Sequence, residues 1–156
     1  EAAIRAFYGL PEEAILDMGD FVGGMLKYLR KNPVEFVSIA GGFAKLVKLA
    51  QGHLDLHSSR SQVDFDRLAE TVRLSGGSSD LRDQTRSANT AKQVLELCQA
   101  ANVDIADTIA RQASESARAT LDGASAVEIL VTDREGRIIA RHGVGDFDRL
   151  KPVTSA

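Results

Sequence analysis

Apolar residues recur along this chain in two patterns, a helical spacing of three and four positions and short unbroken runs. The unbroken runs predict a strand over residues 34–40 and a β-hairpin over residues 126–141. Residues 75–86 are rich in Gly, Ser, Asp and Arg, and we expect a loop there. The helical spacing predicts helices in the remaining segments, at residues 1–9, 20–32, 43–51, 64–74, 88–101 and 104–121.

Helices that alternate with apolar strands favour an α/β layered fold. We expect a small, mostly parallel sheet flanked by helices, with a C-terminal β-hairpin. Residues 1–142 are predicted to form a single α/β domain, and residues 143–156, which show no periodicity, a loose C-terminal tail.

Three aspartates are predicted to be N-caps, because a carboxylate accepts hydrogen bonds from the free N–H groups of a first helical turn. They are Asp20, Asp64 and Asp104, each just before an apolar-periodic segment. The helix after Asp104 repeats apolar or small residues every four positions, which predicts close packing against a sheet or another helix. Those residues are Ile105, Ile109, Ala113, Ala117 and Leu121.

The stretch from residue 38 to residue 60 holds the densest set of groups able to bind a ligand. The glycine pair Gly41-Gly42 is predicted to form a tight turn between a strand and a helix, and Gly52 to end that helix. A helix start exposes unpaired N–H groups, and glycines let a ligand approach the backbone. A polar cluster follows the helix directly: His53, Asp55, His57, Ser58 and Arg60.

Composition and charge argue against several classes of partner. A net charge of −3 and a pI near 5.6, with basic residues spread along the chain, argue against a nucleic-acid partner. No apolar run approaches membrane-spanning length and no signal-peptide pattern opens the chain, so no membrane partner is expected. The single cysteine, Cys98, excludes an internal disulfide, and we expect a core position for it and a cytoplasmic, reducing location. The start at Glu1, without methionine, predicts a fragment of a longer protein.

Three stretches within residues 19–64 form an ordered set: Gly19-Asp20-Phe21-Val22-Gly23, then Gly41-Gly42-Phe43-Ala44-Lys45-Leu46-Val47-Lys48-Leu49-Ala50-Gln51-Gly52, then Leu56-His57-Ser58. Together they resemble the CbiD family, the cobalt-precorrin-5B carbon-1 methyltransferases of cobalamin biosynthesis. The family pattern is Asn-Phe-Val-Gly, then Gly-His-x-Gly-Lys-Leu-x-Lys-x-Ala-x-Gly, then Thr-His-Ser. This chain departs from it at four positions, Asp20, Gly42, Ala44 and Leu56.

The resemblance implies that S-adenosyl-L-methionine gives a methyl group to carbon 1 of the corrin ring, with the corrinoid as substrate and this chain as the C-terminal α/β domain of the enzyme. It also implies a site with His57 as a proton-transfer group. Binding of substrate or cofactor is expected at Asp20, Gly23, Gly41, Gly42, Lys45, Lys48, Ser58 and Arg60. No protein-bound metal is expected, because the cobalt arrives with the substrate.

A second hypothesis comes from another class of protein, a non-catalytic module that binds an anion or a metal. The anion would bind at the Gly41-Gly42 turn. In an extended segment, His53, Asp55 and His57 would point the same way and offer a face with three metal ligands. The pattern specifies no oligomeric state.

Overall fold

A mixed sheet of three strands lies in the part of the chain that the structure describes, in the spatial order β1 (Phe36–Gly42), β2 (Ala126–Thr132) and β3 (Ile138–Gly143). The structure is a computed structural model and describes residues 2–143. β1 pairs with β2 in parallel, and β2 pairs with β3 in an antiparallel hairpin. The predicted α/β fold with a C-terminal hairpin is therefore confirmed, with one parallel and one antiparallel strand pair.

Helices account for most of the remaining described residues. A single 3-10 turn, Glu12–Ala14, joins α1 to α2. None of the helices between residues 2 and 143 combines the length and the apolar content that a membrane span requires. The α-helices within this range are α1 (Ala2–Tyr8), α2 (Val22–Lys31), α3 (Phe43–Ala50), α4 (Phe65–Leu74), α5 (Ser79–Arg86), α6 (Ala91–Ala100) and α7 (Ile105–Leu121).

Helix α7 is the centre of the core. It packs against α2 and α3 and against the strands β2 and β3. The small side chains of Ala113 and Ala117 let these neighbours approach closely, and both residues are fully buried. Ile105, Ile109 and Leu121 lie around them and are also buried. The predicted stripe of apolar or small residues at every fourth position is therefore confirmed. Burying a side chain of that size stabilises a fold by about 1.5–3 kcal/mol.

The predicted core position of the single cysteine is confirmed. Cys98, on α6, is completely buried and has no disulfide partner. Burial raises the pKa of its thiol to about 11, because the thiolate would lose its hydration there.

Two of the three predicted aspartate caps are confirmed. Asp64 accepts a hydrogen bond from the Arg67 N–H at 3.0 Å, and Asp104 accepts one from the Asp107 N–H at 3.1 Å. The cap predicted for Asp20 is wrong. Phe21 occupies the N-cap position of α2, and the Asp20 carboxylate turns toward another helix.

The loop predicted for residues 75–86 is wrong over most of its length, because Ser79–Arg86 forms α5. The Ser78 hydroxyl caps this helix by accepting from the Leu81 N–H at 3.2 Å. Only Leu81 and Thr85 are buried on it, so its apolar face is too narrow to stand out in the sequence. Helix α5 packs against α4, and this tertiary contact stabilises it.

The two faces of the sheet differ in chemistry. Ile39, Val127 and Ile129 belong to the core that packs with the helices. The alternate positions place Ser38, Glu128 and Leu130 on the opposite face. Gly143 ends β3 and does not belong to a tail. The remainder of the tail prediction, residues 144–156, lies outside the described residues.

Candidate functional site

A large cleft opens where the parallel strands β1 and β2 end. Its volume is about 1860 Å³, and Gly42 and Thr132, which are register partners at the two strand ends, both line it. Residues of α1 and α2, the first turn of α3, one side of α6 and the hairpin turn complete its wall. Ligands of open α/β sheets bind beyond the carboxyl ends of the strands. This cleft is therefore the candidate site.

The glycine pair lies in the cleft in a different conformation from the predicted turn. Gly41 and Gly42 are the last two residues of β1, and α3 begins at Phe43 without an intervening turn. Gly42 is extended, with φ −66° and ψ 152°, a conformation open to any residue. The turn prediction is wrong because an extended residue at the N-cap is enough to connect a strand to a helix.

Packing does not require glycine at either position. A Cβ on Gly42 would meet nothing within 4 Å, and one on Gly41 would lie 3.6 Å from Leu46 Cγ, an ordinary contact. The missing side chains therefore leave the end of β1 and the first N–H groups of α3 open toward the cleft. This is a place where a ligand could approach the backbone closely.

Lys45 brings a cation to the same end of the cleft. Its Nζ lies 3.1 Å from Asp20 Oδ1, and the lysine side chain is half exposed. Surface ion pairs of this kind are worth about 0–1 kcal/mol, so an anionic ligand could replace the Asp20 carboxylate at little cost. Lys45 lines the cleft, whereas Asp20 does not.

Lys48, one turn further along α3, has a structural contact. Its Nζ donates a hydrogen bond to the backbone carbonyl of Leu56 at 2.9 Å. Leu56 itself is buried, with 2 % of its surface exposed. Lys48 therefore holds the segment after Gly52 against α3, and it does not line the cleft.

Gly23 makes the same segment fit against α2. Its N–H donates to the Leu54 carbonyl at 2.8 Å, and a Cβ at this position would lie 2.6 Å from Leu54 Cβ. The Leu56 N–H donates to the Asp20 carbonyl at 2.9 Å. We call this meeting place the motif junction, formed by Asp20, Gly23, Lys48, Leu54 and Leu56. It brings the three stretches that resemble the CbiD family into contact.

The remaining predicted residues lie on an exposed loop after the motif junction. His57, Ser58 and Arg60 are all exposed, and none of them lines the cleft. The His57 Nδ1 atom is hydrogen-bonded to Ser59 Oγ at 2.7 Å. The structure thus brings Gly41, Gly42 and Lys45 together in the cleft and leaves the predicted proton-transfer group outside it.

The carboxylate that the metal hypothesis needs is already engaged. Arg60 Nη1 donates to Asp55 Oδ2 at 2.8 Å, and the His57 N–H donates to Asp55 Oδ1 at 3.1 Å. The pKa of the Asp55 carboxyl is lowered mainly by the hydrogen bond from Arg60 and to a smaller extent by the one from the His57 N–H. Within residues 2–143, no three His, Cys, Asp or Glu side chains lie close enough together to hold a metal ion, so His53, Asp55 and His57 do not form a metal site.

Sequence reasoning missed a polar cluster centred on Glu128, on the face of the sheet that also carries Ser38 and Leu130. This residue is completely buried in the central strand β2. Its Oε2 accepts hydrogen bonds from the Tyr8 hydroxyl and, at 2.5 Å, from Ser38 Oγ. Its Oε1 accepts from Arg141 Nε, and the Arg141 guanidinium lies 5.5 Å from the centre of the Phe7 ring. The one available signal was an acidic residue inside the apolar run of residues 126–131.

The pKa values in this cluster reflect the buried charge. Burial, and then the hydrogen bond to Glu128, raises the pKa of Tyr8 to about 12. For Arg141, burial disfavours the guanidinium ion, but the hydrogen bond and charge of Glu128 outweigh this and raise its pKa. Tyr8 and Ser38 line the cleft, so the cluster borders the same cavity as the glycines.

Comparison with known proteins gives close relatives. The chain is 56 % identical over 142 residues to the cobalt-precorrin-5B C(1)-methyltransferase of Brucella ovis, and 58 % identical to that of Brucella anthropi. Each alignment covers 90 % of this chain and 39 % of the relative. The chain therefore spans about two fifths of the length of these relatives. No solved structure matches it significantly.

A family model supports the same relationship from a different part of the chain. The model described as CbiD, C-terminal domain, matches residues 55–143, which is more than half of the 156 residues. The resemblance noted in the sequence rests on residues 19–64, so the two signals overlap only between residues 55 and 64. Together with the relatives, they establish that this chain belongs to the CbiD C-terminal domain family.

Proposed function

We propose that this chain is one α/β domain, over residues 1–142, of an S-adenosylmethionine-dependent methyltransferase that acts on carbon 1 of the corrin ring of cobalt-precorrin-5B. The observation that carries the proposal is the 56–58 % identity to enzymes of that name. The cleft at the ends of β1 and β2 is the proposed site. Since the chain covers 39 % of these relatives, the proposal assigns it a part in the reaction and leaves other parts of the site to the rest of such an enzyme.

The cleft fits the ligands that this reaction needs. Its 1860 Å³ exceed the usual 300–1,000 Å³ of a small-molecule site, as a macrocycle together with a nucleoside would require. A Cβ at Gly42 would meet nothing within 4 Å, so the space beside the strand end is open to a ligand. Lys45 supplies a cation within reach of that space.

The protein residues would contribute mainly by position. S-adenosylmethionine supplies a methyl group that its sulfonium already activates. The N–H groups at the start of α3 and the Lys45 ammonium would bind anionic groups of the substrate. Holding two reactants in the correct geometry can lower a barrier by about 7–11 kcal/mol without an acid or a base. Gly41 and Gly42 permit this close approach, and bulky residues there would block it.

The other predicted site residues have weaker support. Lys48 and Gly23 are engaged in the motif junction, and Asp20 acts through Lys45. Roles for His57, Ser58 and Arg60 stay predictions, since these residues lie on the exposed loop. We also propose a cytoplasmic location, supported by the unpaired Cys98, since a reducing compartment keeps thiols free.

The test is a calorimetric titration of this chain with S-adenosylhomocysteine, using wild type and Gly42→Val. Because a Cβ at Gly42 meets nothing and its backbone is extended, the variant should melt at the wild-type temperature. We expect it to lose at least about tenfold in affinity, which corresponds to about 1.4 kcal/mol. Gly24→Val, on the exposed side of α2 where a Cβ also meets nothing, is the matched control and should bind normally.

Two results would count against the proposal. The first is no binding of S-adenosylhomocysteine at millimolar concentrations, either to the wild-type chain or to the full-length enzyme of which we propose it is a domain. The second is equal affinity of wild type and Gly42→Val, which would place the ligand elsewhere. A transfer assay that follows the mass gain of one methyl group, with the Brucella ovis enzyme as positive control, then tests the reaction itself.

A further inference from the structure

The Glu128 cluster gives the cleft a second region with its own hydrogen-bonding character. Ser38 and Glu128 are register partners on neighbouring strands, and Ser38 is exposed on the face that Glu128 shares. Ser38 Oγ donates to Glu128 Oε2 at 2.5 Å, and the Tyr8 hydroxyl donates to the same oxygen. A hydroxyl group has one proton, so both hydroxyls have used their only donor.

The direction of the Ser38 hydroxyl proton follows from the hydrogen bonds to Glu128. Arg141 donates to the other carboxylate oxygen, so the buried carboxylate receives three donors in all. Ser38 Oγ directs its one proton at Glu128 Oε2, and this hydrogen bond points inward, away from the cleft. Toward the cleft, Ser38 therefore offers lone pairs alone.

Cations lie at another part of the cleft. Lys45 and Arg134 follow the carboxyl ends of β1 and β2, and both line the cavity. Ser38 lies four residues before Gly42, which corresponds to about 13 Å along an extended strand. A carboxylate near Ser38 would face a hydroxyl whose one proton is already donated to Glu128, so it would find no hydrogen-bond donor there. Near Lys45 and Arg134 it would meet opposite charge, because the neighbouring Asp133 and Glu135 carboxylates are already paired with Arg137.

We propose that Ser38 is a specificity-determining contact that accepts a hydrogen bond from an N–H group of the bound ligand, while carboxylate groups bind at the Lys45 end. Of the two ligands of the proposed function, the methyl donor carries such groups, an ammonium and an adenine amine, and the macrocycle is rich in carboxylates. The inference therefore rests on the proposed function and deepens it, since it places the methyl donor beside Ser38.

The experiment measures two dissociation constants for each variant, one for S-adenosylhomocysteine and one for uroporphyrin, a tetrapyrrole with carboxylate side chains. Ser38→Ala should bind S-adenosylhomocysteine roughly tenfold more weakly, the size of one lost hydrogen bond, and bind uroporphyrin unchanged. Ser38→Thr keeps the hydroxyl and should restore the affinity. Ser116→Ala, the same kind of change on α7 outside the cleft lining, should match wild type.

A comparison with 5′-methylthioadenosine identifies the donor group. This probe keeps the adenine amine and lacks the ammonium. If Ser38→Ala weakens this probe as well, the adenine amine is the group at Ser38, and the proposal is supported. If it does not, the donor is the ammonium, whose carbon also carries a carboxylate, and the proposed placement of carboxylates away from Ser38 is overturned.

Three further outcomes would overturn it. Unchanged affinity of Ser38→Ala for S-adenosylhomocysteine refutes the contact while the proposed function stands. An equal loss for both probes shows a general distortion of the cleft and refutes the specificity. No binding of S-adenosylhomocysteine to wild type refutes the proposed cofactor site and this contact together.

Discussion

Lys48 Nζ donates a hydrogen bond to the backbone carbonyl of Leu56 at 2.9 Å, and this contact ties the end of α3 to the segment that follows it. Lys45, three residues earlier, ends 3.1 Å from the Asp20 carboxylate. The two lysines share a helix, but one stabilises the fold and the other faces the cleft. Motif position alone would have given them the same role.

The two lysines should therefore separate in a stability measurement. Lys48→Met keeps the aliphatic stem and removes the donor, which leaves the carbonyl of the buried Leu56 without this partner. We expect the free energy of unfolding to fall by about 1–3 kcal/mol. Lys45→Met removes a surface ion pair and should change it by less than about 1 kcal/mol. Urea denaturation measures both, and equal losses in the two variants would contradict the assignment.

Gly23 and Gly24 form a second matched pair on α2. Gly23→Ala would place a Cβ 2.6 Å from Leu54 Cβ and 2.9 Å from the Leu54 carbonyl oxygen. We expect a loss of about 1–3 kcal/mol in stability from this overpacking. At Gly24 a Cβ would meet nothing, so Gly24→Ala should stabilise the helix by about 0.5–1 kcal/mol. Melting temperatures that move in the same direction for both variants would argue against the motif junction.

The Tyr8 phenol should make the stability depend on pH in the alkaline range. The folded protein holds this proton up to a pKa of about 12, whereas the unfolded chain releases it near 10.0. Since the unfolded state binds fewer protons between these values, the contribution is complete below pH 10 and is lost as the pH rises toward 12. A shift of this size corresponds to about 2–3 kcal/mol.

The measurement is the free energy of unfolding between pH 9 and pH 12, for wild type and Tyr8→Phe. Wild type should lose stability more steeply across this range. Tyr28→Phe removes the other, exposed tyrosine, so that the ultraviolet titration of its remaining phenol reports Tyr8 alone. Parallel stability curves for wild type and Tyr8→Phe would show that burial and the hydrogen bond to Glu128 do not hold the phenol in its neutral form.

Local pattern predicted the elements whose signal lies within a few residues. The stripe of α7 and the caps Asp64 and Asp104 follow from spacing and from one carboxylate each. Helix α5 escaped prediction because just two of its side chains are buried. Asp20 has the same chemistry as the true caps, but it lies one residue before the N-cap position, which Phe21 occupies, and its carboxylate pairs with Lys45.

The sequence by itself determined the family, the α/β class and the importance of the three stretches between residues 19 and 64, because these are properties of residue order. Tertiary structure alone decided what the residues in those stretches do. It brings Leu54 against Gly23, which lies 31 residues earlier, joins Lys48 to the carbonyl of Leu56, and leaves His57 on the outside. It also gathers Tyr8, Ser38, Glu128 and Arg141 from four elements. No local pattern could reveal a buried charge whose donors are supplied by chain segments up to 120 residues away.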